Sequence, residues 1–201
     1  MKTLKTTILI GVIGLATIVS CKKEKKEVEV IKKEDIIESV KAAAEEKIEK
    51  AKKKLSITLE PKNDSNITGS ITFTETEGIV NMVAEVKGLA EGEHAIHIHE
   101  KADCSSADGK STGGHWNPGL TPHGKWGAKE GYHKGDIGNF KTDASGIGNI
   151  TFATNEWCLG CDDEKKNIIG KAIIVHQGTD DFTSQPSGAA GSRVSCGAII
   201  Q

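Results

Sequence analysis

The sequence predicts an all-β domain of antiparallel strands. Beyond Leu55 apolar residues recur at every second position, turn-forming clusters interrupt the runs at short intervals, and no helical period separates one run from the next. The alternation runs through Leu55, Ile57 and Leu59, then Ile71 and Phe73, then Val80, Met82, Ala84 and Val86. Successive side chains of a strand point to opposite faces, so each set lines one buried face and leaves the residues between it to solvent. Asn63-Asp64-Ser65-Asn66, Glu77-Gly78 and Asp143-Ala144-Ser145-Gly146 supply the turns. Hairpins of a sandwich or barrel fit this pattern, and a βαβ arrangement does not. Two stretches, Lys101 to Gly135 and Gln177 to Ser192, are too glycine-rich for regular structure, and loops of that length usually carry function.

From the N-terminus, 201 residues with 23 glycines allow one sizeable domain and an appendage. A formal charge of -2 gives no electrostatic reason to expect nucleic acid as a partner. Residues 1–20 have the layout of a signal peptide, with Lys2 and Lys5 ahead of an apolar run from Thr7 to Val19 that is too short to span a bilayer comfortably. The tetrad Ile18-Val19-Ser20-Cys21 resembles the bacterial lipobox, which implies a lipid on Cys21 and a membrane anchor in the bacterial cell envelope. Lys22-Lys23-Glu24 lacks the aspartate associated with inner-membrane retention in enteric bacteria, so the expected place is the outer membrane or a periplasm-facing position, with the leaflet left open. Residues 21–54 are almost entirely Lys, Glu, Ala and aliphatics, without Gly or Pro, and read as a charged helical stalk. Ile37, Val40, Ala44, Ile48, Ala51 and Leu55 put a thin apolar stripe along it. Residues 55–201 are then the functional domain.

Five cysteines are an odd number for an exported chain; with Cys21 lipidated, four remain for disulfides. Of the three pairings, the expected one joins Cys104 to Cys196 and the near neighbours Cys158 and Cys161. Trp157-Cys158-Leu159-Gly160-Cys161 is also similar to a thioredoxin redox motif, but Asp162, Asp163 and Glu164 would disfavour a thiolate and no βαβ pattern surrounds it. All seven histidines lie between residues 94 and 176. His97 and His99 are two apart in a strand and share a face, while Ile96 and Ile98 face the other way. His115, His123 and His133 follow, with Asp136 three residues after His133, and His176 ends the apolar strand Ala172-Ile173-Ile174-Val175. Imidazoles with one carboxylate suit zinc and copper rather than calcium or magnesium.

The motifs His94-Ala95-Ile96-His97-Ile98-His99-Glu100, Gly113 to Pro118, His133-Lys134-Gly135-Asp136-Ile137-Gly138-Asn139 and Gly191-Ser192-Arg193-Val194-Ser195-Cys196-Gly197 resemble the copper/zinc superoxide dismutase family in order and content. The resemblance implies an eight-stranded Greek-key β-barrel with its metals outside the barrel under two long loops. It implies copper on His97, His99, His115 and His176, and zinc on His115, His123, His133 and Asp136, one ion of each per chain. His115 would bridge the two and act in catalysis. Asp180 matches a carboxylate that hydrogen-bonds a copper and a zinc histidine at once, here His97 and His123. His94 matches a position beside the ligands. Arg193 matches the arginine that draws in and docks the anionic substrate, superoxide.

The sequence departs from the short eukaryotic form in having more residues between Cys104 and His115, and in a Gln177 to Ser192 segment without basic residues. The steering role of that second loop would then fall to other cations, with Lys125, Lys129 and Lys134 as candidates. A metal-sequestering lipoprotein on the same fold is the alternative function; the complete ligand set together with Arg193 favours the enzyme. A homodimer is an expectation whose surface the sequence does not specify.

Overall fold

The structure, a computed structural model, describes residues 35–45 and 52–201. The signal segment, Cys21 and the rest of the stalk lie outside the described residues. Residues 35–45 are helical, and Ile36, Ile37 and Val40 on that helix are exposed.

The remaining chain forms a closed barrel of eight strands: β1 (Lys53–Pro61), β2 (Thr68–Thr76), β3 (Ile79–Lys87), β4 (Gly92–His99), β5 (Gly138–Thr142), β6 (Ile147–Thr154), β7 (Ala172–His176) and β8 (Arg193–Ala198). Their order around the barrel is β1-β2-β3-β6-β5-β4-β7-β8, with every pair antiparallel. The chain therefore leaves β3 for β4 and β6 for β7 by connections that cross a barrel end, the Greek-key pattern. Closure comes from Glu60 opposite Cys196 and Pro61 opposite Ser195. β1 begins two residues before the composition changes, with Lys53 and Lys54 already opposite Glu75 and Thr74.

The predicted alternation is clearest in β3, where Val80, Met82, Ala84 and Val86 are buried and Ile79, Asn81 and Val83 are exposed. Leu59, Ile71, Phe73, Met82, Ile96 and Ile98 are among the side chains that fill the interior, each worth about 1.5–3 kcal/mol on burial. β4 and β7 behave differently. From His94 to His99 and from Ala172 to His176 every residue is buried, because one face meets the core and the other is roofed by the long loops.

Both expected disulfides are present. Cys104–Cys196 ties the long β4–β5 connection to β8 across a sequence separation of 92, and Cys158–Cys161 closes a tight ring in the β6–β7 connection.

Candidate metal centre

β4 ends in the alternation that aims His97 and His99 outward, away from Ile96 and Ile98 in the core. The β4–β5 loop then doubles back along the same strand. Trp116 N–H donates to the Ile98 carbonyl, Ile98 N–H to Gly135 and Gly135 N–H to Trp116, which bridges His99 to His115. Gly135 is required there, since a Cβ would overlap the Ile98 carbonyl oxygen. At the end of β7 a register shift between Val175 and His176 re-aims the histidine and places it opposite Arg193 of β8.

These elements bring together the eight positions, His115 counted in both groups, that were expected as metal ligands. His97, His99, His115 and His176 form one buried group, His115, His123, His133 and Asp136 a second, and in each the donor atoms lie within 4.8 Å of one another. In the first group the converging nitrogens, His97 Nδ1 and Nε2 of His99, His115 and His176, are buried without a hydrogen-bond partner. Buried polar atoms are ordinarily satisfied, so four orphaned imidazole nitrogens aimed at one point fit a cation. In the second group His115 Nδ1, His123 Nδ1 and His133 Nδ1 face the Asp136 carboxylate at 2.8, 3.0 and 3.2 Å. Three nitrogens and one anionic oxygen suit zinc. His115 thus presents one nitrogen to each group.

The remaining ring nitrogens are committed elsewhere, which sets the tautomers. His97 Nε2 and His123 Nε2 donate to the two oxygens of Asp180, both at 2.9 Å. His99 Nδ1 donates to the Gly113 carbonyl at 3.0 Å and His176 Nδ1 faces that of Gly191 at 3.4 Å. His94 stands apart from both groups: its Nε2 donates to the Ala90 carbonyl at 2.9 Å.

Protonation follows from burial and neighbours. Burial and adjacent imidazoles hold His99 and His176 well below the ordinary histidine range. Burial brings His115 down to about 4 despite its bond to Asp136. For His123 burial also opposes the charge, but Asp136 and Asp180 outweigh it and raise the ring to about 9. Burial disfavours ionised Asp136 and Asp180 too, yet the histidine bonds prevail and keep both carboxyls well below the usual range.

A cleft of about 520 Å³ opens onto the first group, lined by His99, His115, His176, Glu100, Gln185 and Arg193 among others. Arg193 is half-buried, and its Nη1 donates to the Gly109 carbonyl at 2.8 Å and to Thr112 Oγ1 at 3.0 Å. It is the one cationic side chain lining that cleft among the described residues. The lysines considered for steering are placed otherwise: Lys134 is bonded to Glu156 at 3.0 Å, and the exposed Lys125 and Lys129 do not line the cleft.

Three contributors escaped the sequence reading. Asn139 pins Asp180, donating to its carbonyl at 2.9 Å and accepting its N–H at 2.8 Å. Gln185 clasps the His123 backbone, accepting its N–H and donating to its carbonyl, both at 2.9 Å. Gly188 packs where a Cβ would overlap Asp180 Oδ1. Asn139 stood inside a recognised motif without a role, whereas no local signal marked Gln185 or Gly188.

The family model for copper/zinc superoxide dismutase matches residues 67–199. The extracellular copper-zinc superoxide dismutase of Drosophila melanogaster is 34% identical over 145 residues, which cover 68% of this chain and 77% of that protein. The copper-zinc superoxide dismutase 2 of Aquifex aeolicus is 35% identical over 140 residues, covering 68% and 81%, and that of Caulobacter vibrioides 35% over 140, covering 68% and 80%. In three dimensions the barrel is similar to the crystal structure of a double mutant of a SOD-like protein from Bacillus subtilis, with a TM-score of 0.64 and 30% identity over 73% of this chain and 97% of that one.

Proposed function

Because the chain belongs to the copper/zinc superoxide dismutase family, and is therefore an oxidoreductase that disproportionates superoxide with copper and zinc as cofactors, we propose how its residues divide that work. His97, His99, His115 and His176 hold the copper, and His115, His123, His133 and Asp136 hold the zinc. The observation that carries this division is His115, whose Nδ1 meets Asp136 while its Nε2 converges with the other three orphaned nitrogens.

When bound, copper would supply the one-electron cycling that oxidises one superoxide to O2 and, with uptake of two protons, reduces a second to hydrogen peroxide, which zinc, with one accessible oxidation state, does not. The chain supplies the rest. Arg193 offers a fixed positive charge at the cleft wall, its orientation set by Gly109 and Thr112, and so binds a small anion beside His115 and His176. His115 Nε2 is the atom on which a proton can be held next to that anion, because Nδ1 is fixed toward Asp136. Asp180 keeps His97 and His123 oriented across the two groups. The open cleft with its arginine favours this reading over a storage protein, which has no need of an anion path.

His176→Ala is the direct test, since His176 lies in the first group only. Elemental analysis should find copper lost and zinc retained, with superoxide decay reduced to background. Equal loss of both metals would refute the division.

We also propose that residues 1–20 are a lipoprotein signal, that 21–54 are a stalk, and that Cys21 carries lipid. The relative in Drosophila named as extracellular supports an extracellular or envelope location. Cys21→Ser should move the protein from the detergent phase to the aqueous phase, because stable anchoring needs more than one acyl chain and that residue would supply them.

A further inference from the structure

The Trp157-Cys158-Leu159-Gly160-Cys161 segment has no part in the reading above, yet Trp157 is among the most buried side chains of the barrel. Together with Glu156 it meets the β4–β5 loop at three points. The Tyr132 hydroxyl donates to Glu156 Oε1 at 2.6 Å, the Lys134 ammonium donates to Glu156 Oε2 at 3.0 Å, and Trp157 Nε1 donates to the Lys134 carbonyl at 2.8 Å. The residue enclosed by these bonds is His133. One carboxylate takes both side chains that flank it, and one indole takes the carbonyl that follows it.

Packing supports the same junction. Trp157 lies 4.9 Å from Phe152 and 5.8 Å from Trp126, and Trp126 lies 4.9 Å from Tyr132, ring centre to ring centre. Four of the chain's eight Phe, Trp and Tyr residues are thus spent on joining the loop to the barrel wall. The outgoing chain is fixed as well. Cys158 is bonded to Cys161, its N–H donates to the Lys166 carbonyl, and its own carbonyl accepts the Ile168 N–H.

We propose that Glu156 and Trp157, secured by the Cys158–Cys161 disulfide, are positioning residues that hold His133 ready for zinc. The proposal rests on the assignment of His133 to the zinc set. Metal ligands must be placed within a few tenths of an ångström, and a loop already ordered loses less entropy on binding than a free one. The brace bonds to the two residues that flank one ligand and makes no bond to His97, His99 or His176, so its effect falls on zinc and not on copper.

The test uses the full chain and reads zinc affinity by chelator competition and site geometry by the visible spectrum of cobalt(II) in place of zinc. Trp157→Phe keeps the ring and removes the donor, Glu156→Gln keeps the shape and removes the charge, and Tyr132→Phe removes one hydroxyl. Zinc affinity should fall about tenfold in the first two variants, as for other residues that orient metal ligands, and less in the third. The cobalt bands should shift, copper should stay stoichiometric, and Cys158→Ser with Cys161→Ser should weaken zinc in the same direction. A merely structural role would lower the melting temperature of the metal-free protein while leaving zinc affinity and the cobalt spectrum of folded variants at wild-type values, and that result overturns the brace. A wild type that takes up no zinc overturns instead the assignment on which it rests.

Discussion

Asp180 and Arg193 concentrate the residue-scale chemistry. Asp180 gives one oxygen to His97 and the other to His123, so a single carboxylate orients a ring in each group. Asp180→Asn can accept through only one atom, and the loss of such a partner typically costs 10–100-fold in metal affinity; competition with chelators should show both metals weakened, unlike the copper-only loss of His176→Ala. Gly188→Ala should approach the same phenotype by displacing that carboxylate. Arg193→Ala should leave both metals bound and slow superoxide decay by about tenfold or more, the lower end of what focused charge contributes to an association rate. Added salt should slow the wild type more than the variant, since screening acts over roughly 8–10 Å. Arg193→Lys should keep part of the rate, retaining the charge but not the planar guanidinium that Gly109 and Thr112 hold through Nη1. Pulse radiolysis across a salt series separates these outcomes, and equal salt slopes for Arg193→Ala and wild type would remove the steering role.

At the scale of elements, the Cys104–Cys196 disulfide joins the loop that receives the Arg193 guanidinium to the strand that carries it. Closing a loop with a separation of 92 is worth about 4–5 kcal/mol in chain entropy. Cys104→Ala with Cys196→Ala should therefore shift the denaturation midpoint strongly and slow superoxide decay even in the folded fraction, as the seat of Arg193 loosens. Strands with one wet face were legible in the sequence: β1, β2 and β3 show the expected alternation, and the face of β4 was assigned correctly from His97 and His99 alone. Barrel closure was not, because the pairing of β1 with β8 depends on two edges far apart in sequence, and the expectation of eight strands came from the family motifs. The histidine cluster was legible because its residue types are rare, whereas its division into two metal groups came from the family motifs. The Gln185 amide was not, since its partner His123 is 62 residues away and nothing local to a Gln-Pro pair foretells it. The brace on His133 was invisible for the same reason, although the cysteines that secure it were noticed.

For the whole molecule, crowding so many imidazoles into one buried region ties stability to pH when the metals are removed. His99 and His176 lie well below 6.5 in the folded state and His115 at about 4, so below pH 6.5 the unfolded chain binds protons that the folded chain refuses. Each such ring removes stability as the pH falls through that window, by at most about 1.4 kcal/mol per pH unit. His123 acts oppositely: raised to about 9, it is protonated in the folded state while its unfolded counterpart is neutral, so its contribution is complete below 6.5 and fades as the pH rises toward 9. Three rings against one make the acid limb the steeper, and the metal-free protein should be most stable near pH 6–7. Denaturant midpoints of the metal-free protein between pH 4.5 and 9.5 would trace this asymmetric dome. In the metal-loaded protein His99, His123 and His176 are ligands and take no proton until the ions leave, so the acid limb should move to lower pH and become abrupt, coinciding with metal release. A metal-free protein whose midpoint is flat from pH 7 to 5 would show that these rings exchange protons freely in the folded state, and that the burial described here does not isolate them.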